Sequence, residues 1–285
     1  MLNDISIYIP AYNAEKTIKQ CLDSVLRQTI KPSKILVIND SSTDSTKNIL
    51  LEYKQSIQII DNEKNMGVSF SRNLALKNLK SKFVASIDAD VVISETWLEQ
   101  IVNSLQKNNA TIVGGKMYEK FIDNPCNLWR SIRLKQHWGE QDRINPPFIF
   151  GCNNILDTTN LDREKLYRND DEYYKLNGDD IELGKLLIKK KQIMYYDSNA
   201  ICSHLQNDNY KSLAARYWRY VFYGDGLKNR NFFKTFKNII RQIKKVFLWT
   251  IEDLTKLRLQ LILVNFALMI HLIKLDIKHY SKNET

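Results

Sequence analysis

The chain has 285 residues, 44% hydrophobic and 26% charged, the balance of an ordinary globular protein with length for one large or two small domains. Nine glycines and five prolines argue against collagen-like, low-complexity and broadly disordered chains. The net charge of +10 is uneven: residues 184–285 carry 19 Lys+Arg against 7 Asp+Glu, and residues 1–183 carry 23 against 25, so the C-terminal third is a basic region whose target is anionic.

The opening stretch "MLNDISIYIPAYNAEK" lacks a basic segment followed by a long apolar core, so no signal peptide is expected. Cys21, Cys126, Cys152 and Cys202 show no metal-ligand spacing and fit a reduced, intracellular protein with free thiols. No internal repeat is visible. β-Branched runs predict strands at 5–10, 35–40, 57–61, 83–88 and 111–118, with helical patterns between them. In 14–29 the residues Ile18, Leu22, Val25 and Leu26 share one face; in 68–79 Phe70, Leu74 and Leu79 do the same. Strand–helix alternation predicts an α/β fold with a mostly parallel central sheet flanked by helices. Residues 121–178 read as irregular around a strand at 148–156. A helix follows at 177–190, with Asp179 and Asp180 in its first turn and lysines closing it, then a short strand at 193–198.

From residue 232 the pattern changes. Phe232, Phe233, Phe236, Ile239, Ile240, Ile243 and Phe247 make a wide apolar stripe, with Lys234, Lys237, Arg241, Lys244 and Lys245 on the other side. That pattern reads as a helix lying on a membrane surface, against the alternative of docking onto the rest of the chain. The run 259–273, interrupted by Asn265 and His271, reads as too short and polar to span a bilayer.

Three strands end in polar residues: Tyr12-Asn13, Asn39-Asp40 and Asp88-Ala89-Asp90. In open α/β sheets such ends converge on a ligand crevice. No G-x-G-x-x-G follows the first strand and there is no P-loop, so a nucleotide must be held differently. On an extended strand Asp88 and Asp90 share a face, and two hard carboxylates around a small residue suit Mg²⁺ or Mn²⁺ with substrate phosphates.

The segments "IPAYNAEKTIKQCLDSVLRQT", "ILVINDSSTDST", "NMGVSFSRNLAL", "DAD" and "DDIELGKLL", in this order, resemble family 2 glycosyltransferases with the GT-A fold. The resemblance covers about residues 3–225. It implies an inverting hexosyltransferase moving a sugar from a nucleotide donor, usually UDP-linked, to an acceptor hydroxyl with a divalent metal, Mn²⁺ or Mg²⁺. It implies a catalytic domain at 1–225 (donor side about 1–120, acceptor side about 121–225), with 226–285 as a basic helical extension. Donor contacts fall on Pro10, Tyr12, Asn13, Asp40, Asn65, Gly67, Arg72, Asp88 and Ala89. Tyr12 offers an aromatic face to a base, Asp40 can accept from a uracil N3–H, and Arg72 can reach a diphosphate. Asp40 can also be read as a helix cap for 43–55, although Ser41, Ser42 and Thr43 are better placed for capping.

Asp90 is the implied metal ligand, Asp88 meets ribose or metal, and His204 can complete the metal site. Asp180 matches the general base, which an inverting reaction needs opposite the leaving group. Gly151, Asn153, Asn154 and Asp179 fall on the acceptor side. Trp129, Trp138 and Trp218 read as core or as stacking platforms.

Two other classes compete. A nucleotidyltransferase would share the sheet, but "PAYNAEKT" lacks its glycine-rich loop. A non-catalytic membrane-binding adaptor would need none of Asp40, Asp88, Asp90 and Asp180. The expected partners are a nucleotide-sugar donor, a glycan or lipid-linked acceptor, and an anionic membrane surface at the inner face of the cell membrane. Homodimerisation through the apolar stripe is an alternative. Nucleic acid is not expected, because the basic residues alternate with Phe and Ile at helical spacing.

Overall fold

The computed structural model describes residues 4–168, 178–222 and 231–281; the domain boundary expected at 225/226 lies outside the described residues. In chain order the elements are β1 (Ile5–Ala11), α1 (Ile18–Leu26), β2 (Lys34–Asn39), α2 (Thr46–Glu52), β3 (Gln58–Asp61), α3 (Val68–Asn78), β4 (Phe83–Ile87), β5 (Val91–Ile93), α4 (Trp97–Lys107), β6 (Ile112–Glu119), α5 (Pro125–Arg133), β7 (Arg143–Ile144), β8 (Asn153–Asp157), α6 (Asp179–Lys189), β9 (Met194–His204), α7 (Tyr210–Phe222), α8 (Phe232–Thr255) and α9 (Leu259–Ser281). They form two compact units. One runs to Lys120 and adds Gln136–Gln206; the other joins Phe121–Lys135 to the chain from Asn207 onward.

The first unit is a three-layer α/β domain. Its sheet runs β3-β2-β1-β4-β8-β6-β9-β5, with β7 paired to β9. The first four strands are parallel. β8 lies antiparallel between β4 and β6, while β6 and β9 are again parallel. Alternation along β1 sorts the two faces. Ile5, Ile7 and Ile9 pack with α1 (Leu22, Val25) and α4 (Trp97, Ile101). Tyr8 points the other way, packing with Leu36, with Leu76 of α3 and with Leu183 and Leu187 of α6. Because β1 pairs with β2 on one side and β4 on the other, chain order reverses there. The crevice beyond the carboxyl ends of β1 and β4 is therefore the expected ligand position.

Several elements differ from the sequence reading, each for a local reason. The strand expected at 148–156 begins only at Asn153, since Pro146 and Pro147 remove ladder donors and Gly151-Cys152 make a turn. The strand expected at 193–198 continues to His204, across a register shift between Gly114 and Lys116 of β6. α5 lies in the stretch read as irregular; the Asn124 side chain accepts from Asn127 N, with Pro125 in the first turn. α2 is served by Asp44, which accepts from Thr46 N and Oγ1, rather than by Ser41, Ser42 or Thr43. α3 buries Ser69, Ser71, Arg72, Asn73, Ala75 and Leu76, while Phe70 and Leu74 are half-buried. Polar residues turned inward on that helix are the first sign of a site.

Gly67 precedes α3 with φ 86° and ψ 164°, a region that side chains with a Cβ adopt only under strain. Gly67→Ala is expected to lower stability by about 1–3 kcal/mol, read as a lower midpoint in denaturant, and to loosen the loop that Asp40 holds.

The second unit packs α5, α7, α8 and α9 around Trp129, Leu213, Tyr217, Leu261, Leu268 and Leu272. α9 extends to Ser281, past the apolar run read at 259–273. Its segment Leu259–Lys278 is long and apolar enough to cross a membrane by length and composition, with mean hydropathy 1.7. Lys274 and Asp276 end the run by eye, but the helix continues through them.

Candidate active site

The carboxyl ends of β1, β2 and β4 carry the first polar layer. Tyr12 is 50% exposed just past β1, a free aromatic face. Asn13 has φ 49°; its Oδ1 accepts from Thr43 N at 2.8 Å, and its own amide donates to Ser42 Oγ. Pro10 is half-buried. Asn39 Nδ2 donates to Asp61 Oδ1 at 2.6 Å. Asp40 is buried, and its carboxylate accepts from Met66 N, Gly67 N and Asn62 Nδ2 at 2.7–2.8 Å. Those bonds fix the 65–67 loop and leave one of about four lone-pair directions for a further donor. Asn65 stands exposed on that loop.

The Asp88-Ala89-Asp90 segment is a turn and not an extended strand: Val91 N donates to Asp88 O at 3.0 Å. This corrects the shared-face expectation. The turn sends the two carboxylates to different partners. Asp88 Oδ1 meets Arg72 Nη2 at 2.9 Å, and Asp90 Oδ2 lies 3.2 Å from His204 Nε2. Ala89 between them is buried. Burial raises the Asp88 pKa, Arg72 opposes the rise and Asp90 adds to it.

Arg72 is the centre of the site. It is buried, with Nη1 on Asp179 Oδ2 and Nη2 on Asp88, so the sequence-expected diphosphate ligand is occupied by two carboxylates. Burial disfavours its charge, but Asp179 and Asp88 outweigh that and hold its pKa well above the ordinary value. The guanidinium lies 5.5 Å from the Tyr167 ring centroid. Tyr167 is clasped to α3 by two bonds with Asn73, N to Oδ1 at 2.9 Å and Nδ2 to O at 2.7 Å. Beneath the guanidinium runs the Gly151 backbone: a Cβ there would stand 2.4 Å from Arg72 Nη1. Only glycine permits that approach.

Asp179 and Asp180 open α6, as the sequence predicts. Burial first, and the adjacent Asp179 second, push the Asp180 pKa up to about 7, against the opposing pull of Arg72 and the Ile181 and Gly151 amides. A carboxyl poised there is suited to accept a proton near neutral pH.

Asn153 and Asn154, expected on the acceptor side, are buried at the start of β8. Asn153 Oδ1 accepts from Trp97 Nε1 at 2.8 Å, and Asn154 Nδ2 donates to the Phe150 and Gly151 carbonyls at 3.0 Å. The Asn154 bonds brace the Gly151 turn, and the Asn153 bond ties β8 to α4. Trp138 donates to Phe148 O at 2.9 Å and packs on Phe148 and Phe150. Trp129 is core of the helical unit.

His204 is buried at the end of β9, its Nδ1 held by Glu119 Oε2 at 2.9 Å. Burial works against its charge, but Asp90 and Glu119 prevail and push its pKa up to about 9. Glu119 and Tyr167 were not found from sequence. The parallel pairing that sets Glu119 opposite His204 joins residues 85 apart, with no local signal.

Among the described residues no group of three or more His, Cys, Asp or Glu side chains is arranged to hold a metal. Asp90 and His204 still fit a divalent ion as two adjacent donors. Glu119 orients the ring from behind, the usual outer partner of a metal-binding imidazole.

A family model described as glycosyl transferase family 2 matches residues 6–165. The chain belongs to that family. An uncharacterized glycosyltransferase of Haemophilus influenzae is 29% identical over 73% of this chain and 71% of its own length. The Escherichia coli UDP-Glc:alpha-D-GlcNAc-diphosphoundecaprenol beta-1,3-glucosyltransferase WfgD is 37% identical over 42% of this chain, and the match spans 47% of that protein. Among solved structures, the mannosyltransferase PcManGT from Pyrobaculum calidifontis in complex with GDP-Man and Mn2+ superposes with TM-score 0.63 at 13% identity, covering 95% of this chain and 87% of that one. The fold of the transferase is thus GT-A, and it is a glycosyltransferase rather than a nucleotidyltransferase.

Proposed function

We propose that this transferase moves a sugar, with inversion, from a UDP-linked donor to a hydroxyl of a glycan or lipid-linked acceptor in cell-envelope polysaccharide synthesis. The observation that carries this reading is the polar chain Asp88–Arg72–Asp179, which joins the turn beyond β4 to Asp180, the carboxyl poised near neutral pH at the start of α6. The acceptor oxygen forms its bond to the anomeric carbon as the bond to the nucleoside diphosphate breaks, and Asp180 takes the acceptor proton. Tyr12 stacks on the base, and the spare lone pair of Asp40 receives its N–H. The E. coli relative is named for a UDP donor and a lipid-diphosphate acceptor.

Asp90 and His204 would hold Mn²⁺ or Mg²⁺ together with donor phosphates, and when bound the ion supplies charge neutralisation for the leaving diphosphate. The helical unit is read as holding the enzyme peripherally at the cytoplasmic, anionic face of the membrane. The test is a nucleotide-sugar panel scored for UDP or GDP release with and without Mn²⁺. UDP-sugar turnover that stops with EDTA, and falls about 10²-fold or more in Asp90→Asn, is the expected result. Pyrophosphate release, or turnover indifferent to both changes, would overturn the reading.

A further inference from the structure

The helical unit buries polar side chains and displays apolar ones. At about 3.6 residues per turn, Thr235, Asn238, Gln242, Val246 and Asp253 share the inner face of α8, and all are buried. The next face carries Phe233, Phe236, Phe247, Ile251 and Leu254, each between 45% and 78% exposed. Lys234, Lys237, Arg241 and Lys244 form a third stripe beside it.

α9 repeats the arrangement. Leu261, Asn265, Leu268, Leu272 and Asp276 are buried, while Leu259, Leu263, Phe266, Ile270 and Ile277 lie on the opposite side, between 43% and 77% exposed. Apolar faces on this scale mark an interaction surface, and a helix apolar on opposite sides requires cover on both.

The inner face shows that α9 stays with its unit. Trp129 Nε1 donates to Asn265 Oδ1 at 2.8 Å, and Asn265 Nδ2 donates to Asp253 Oδ2 at 2.9 Å. Arg133 Nη2 reaches Asp253 Oδ1 at 2.8 Å, and Asn238 Nδ2 donates to Asp276 Oδ2 at 2.6 Å. These bonds tie α5, α8 and α9 together. Sending α9 alone across a bilayer would strand a buried amide and two carboxylates.

The basic stripe decides what covers the outer face. A second copy would bring cationic stripes of like sign together. An anionic bilayer satisfies both faces at once, with acyl chains over the phenylalanines and headgroup phosphates at the lysines. We infer that α8 and α9 lie side by side in the headgroup–acyl boundary of an anionic bilayer without crossing it, with both ends of α9 on the entry side. This deepens the peripheral-membrane reading above and rests on it.

Flotation of the full chain with phosphatidylcholine vesicles, with and without phosphatidylglycerol, tests the surface. Binding should require the anionic lipid. Phe233→Asp with Phe247→Asp should lower partitioning at least about 10-fold, with the thermal melt unchanged because both positions are exposed. Lys237→Glu with Lys244→Glu should remove the preference for phosphatidylglycerol. In a Cys126→Ser background, Gln260→Cys and Lys278→Cys should both react with an impermeant maleimide when the chain is added to sealed vesicles. Labelling at one end only, unchanged flotation of the phenylalanine pair, or a dimer in place of vesicle binding would each overturn the inference. UDP release measured in parallel separates the two readings: turnover without flotation removes the surface alone, and flotation without turnover removes the transferase chemistry alone.

Discussion

Asp180→Asn is expected to lower kcat by about 10²–10⁴-fold, with the donor KM nearly unchanged. The asparagine keeps the shape and the oxygen that accepts from Ile181 N at 2.8 Å, so α6 still starts in place. It cannot take a proton from the acceptor hydroxyl. The loss therefore belongs to the chemical step and not to binding.

The pH profile gives an independent reading. Burial and Asp179 push the Asp180 pKa up to about 7. A base works only when ionised, so kcat/KM should rise with pH and level off above about 7. In Asp180→Asn that acid limb should vanish along with most of the rate. A variant that keeps the limb at the same position places the base elsewhere. Donor hydrolysis, where water replaces the acceptor, should fall in parallel.

Much of this architecture is local and therefore legible in sequence. The strands β1, β2, β3, β4 and β6 are short β-branched runs. The first turn of α6 shows its two aspartates, and the polar strand ends Tyr12, Asp40 and Asp88 mark the crevice side. What escaped the sequence lies in long-range pairings. The sequence offers Arg72 as a diphosphate ligand and gives no sign of its carboxylate partners. Only the fold reveals that Asp88 and Asp179, the latter 107 residues away, both close on it. Gly151 gives no local sign that its backbone must clear a guanidinium.

The error at Asp88-Ala89-Asp90 has a similar origin. Alternation is a strand rule, and the strand ends at Ile87, one residue before Asp88. In α8 the periodicity found the stripe of phenylalanines but not its direction. A stripe reads equally well facing in or out until the buried Asn238, Gln242 and Asp253 identify the inner face.

Arg72 variants should give the largest change in stability. Arg72→Met leaves Asp88 and Asp179 facing each other without their shared cation, and removing one member of a buried ion network costs about 3–5 kcal/mol. A thermal melt should show it directly. Arg72 also lowers the Asp180 pKa, so its loss should raise that pKa and move the acid limb of kcat/KM to higher pH, the opposite sign to a stabilised carboxylate.

Arg72→Lys sharpens the test. It keeps the charge, but a single ammonium cannot form the planar fork that now spans two carboxylates. It should melt between the wild type and Arg72→Met and show a smaller alkaline displacement of the limb. Gly151→Ala approaches the same point from below, since its Cβ would press within 2.4–2.8 Å of the guanidinium atoms and displace the bridge while every charge remains. If Arg72→Lys and Gly151→Ala both keep the wild-type melt and pH profile, Arg72 does not couple the donor turn to the base, and the polar chain through the site loses its central link.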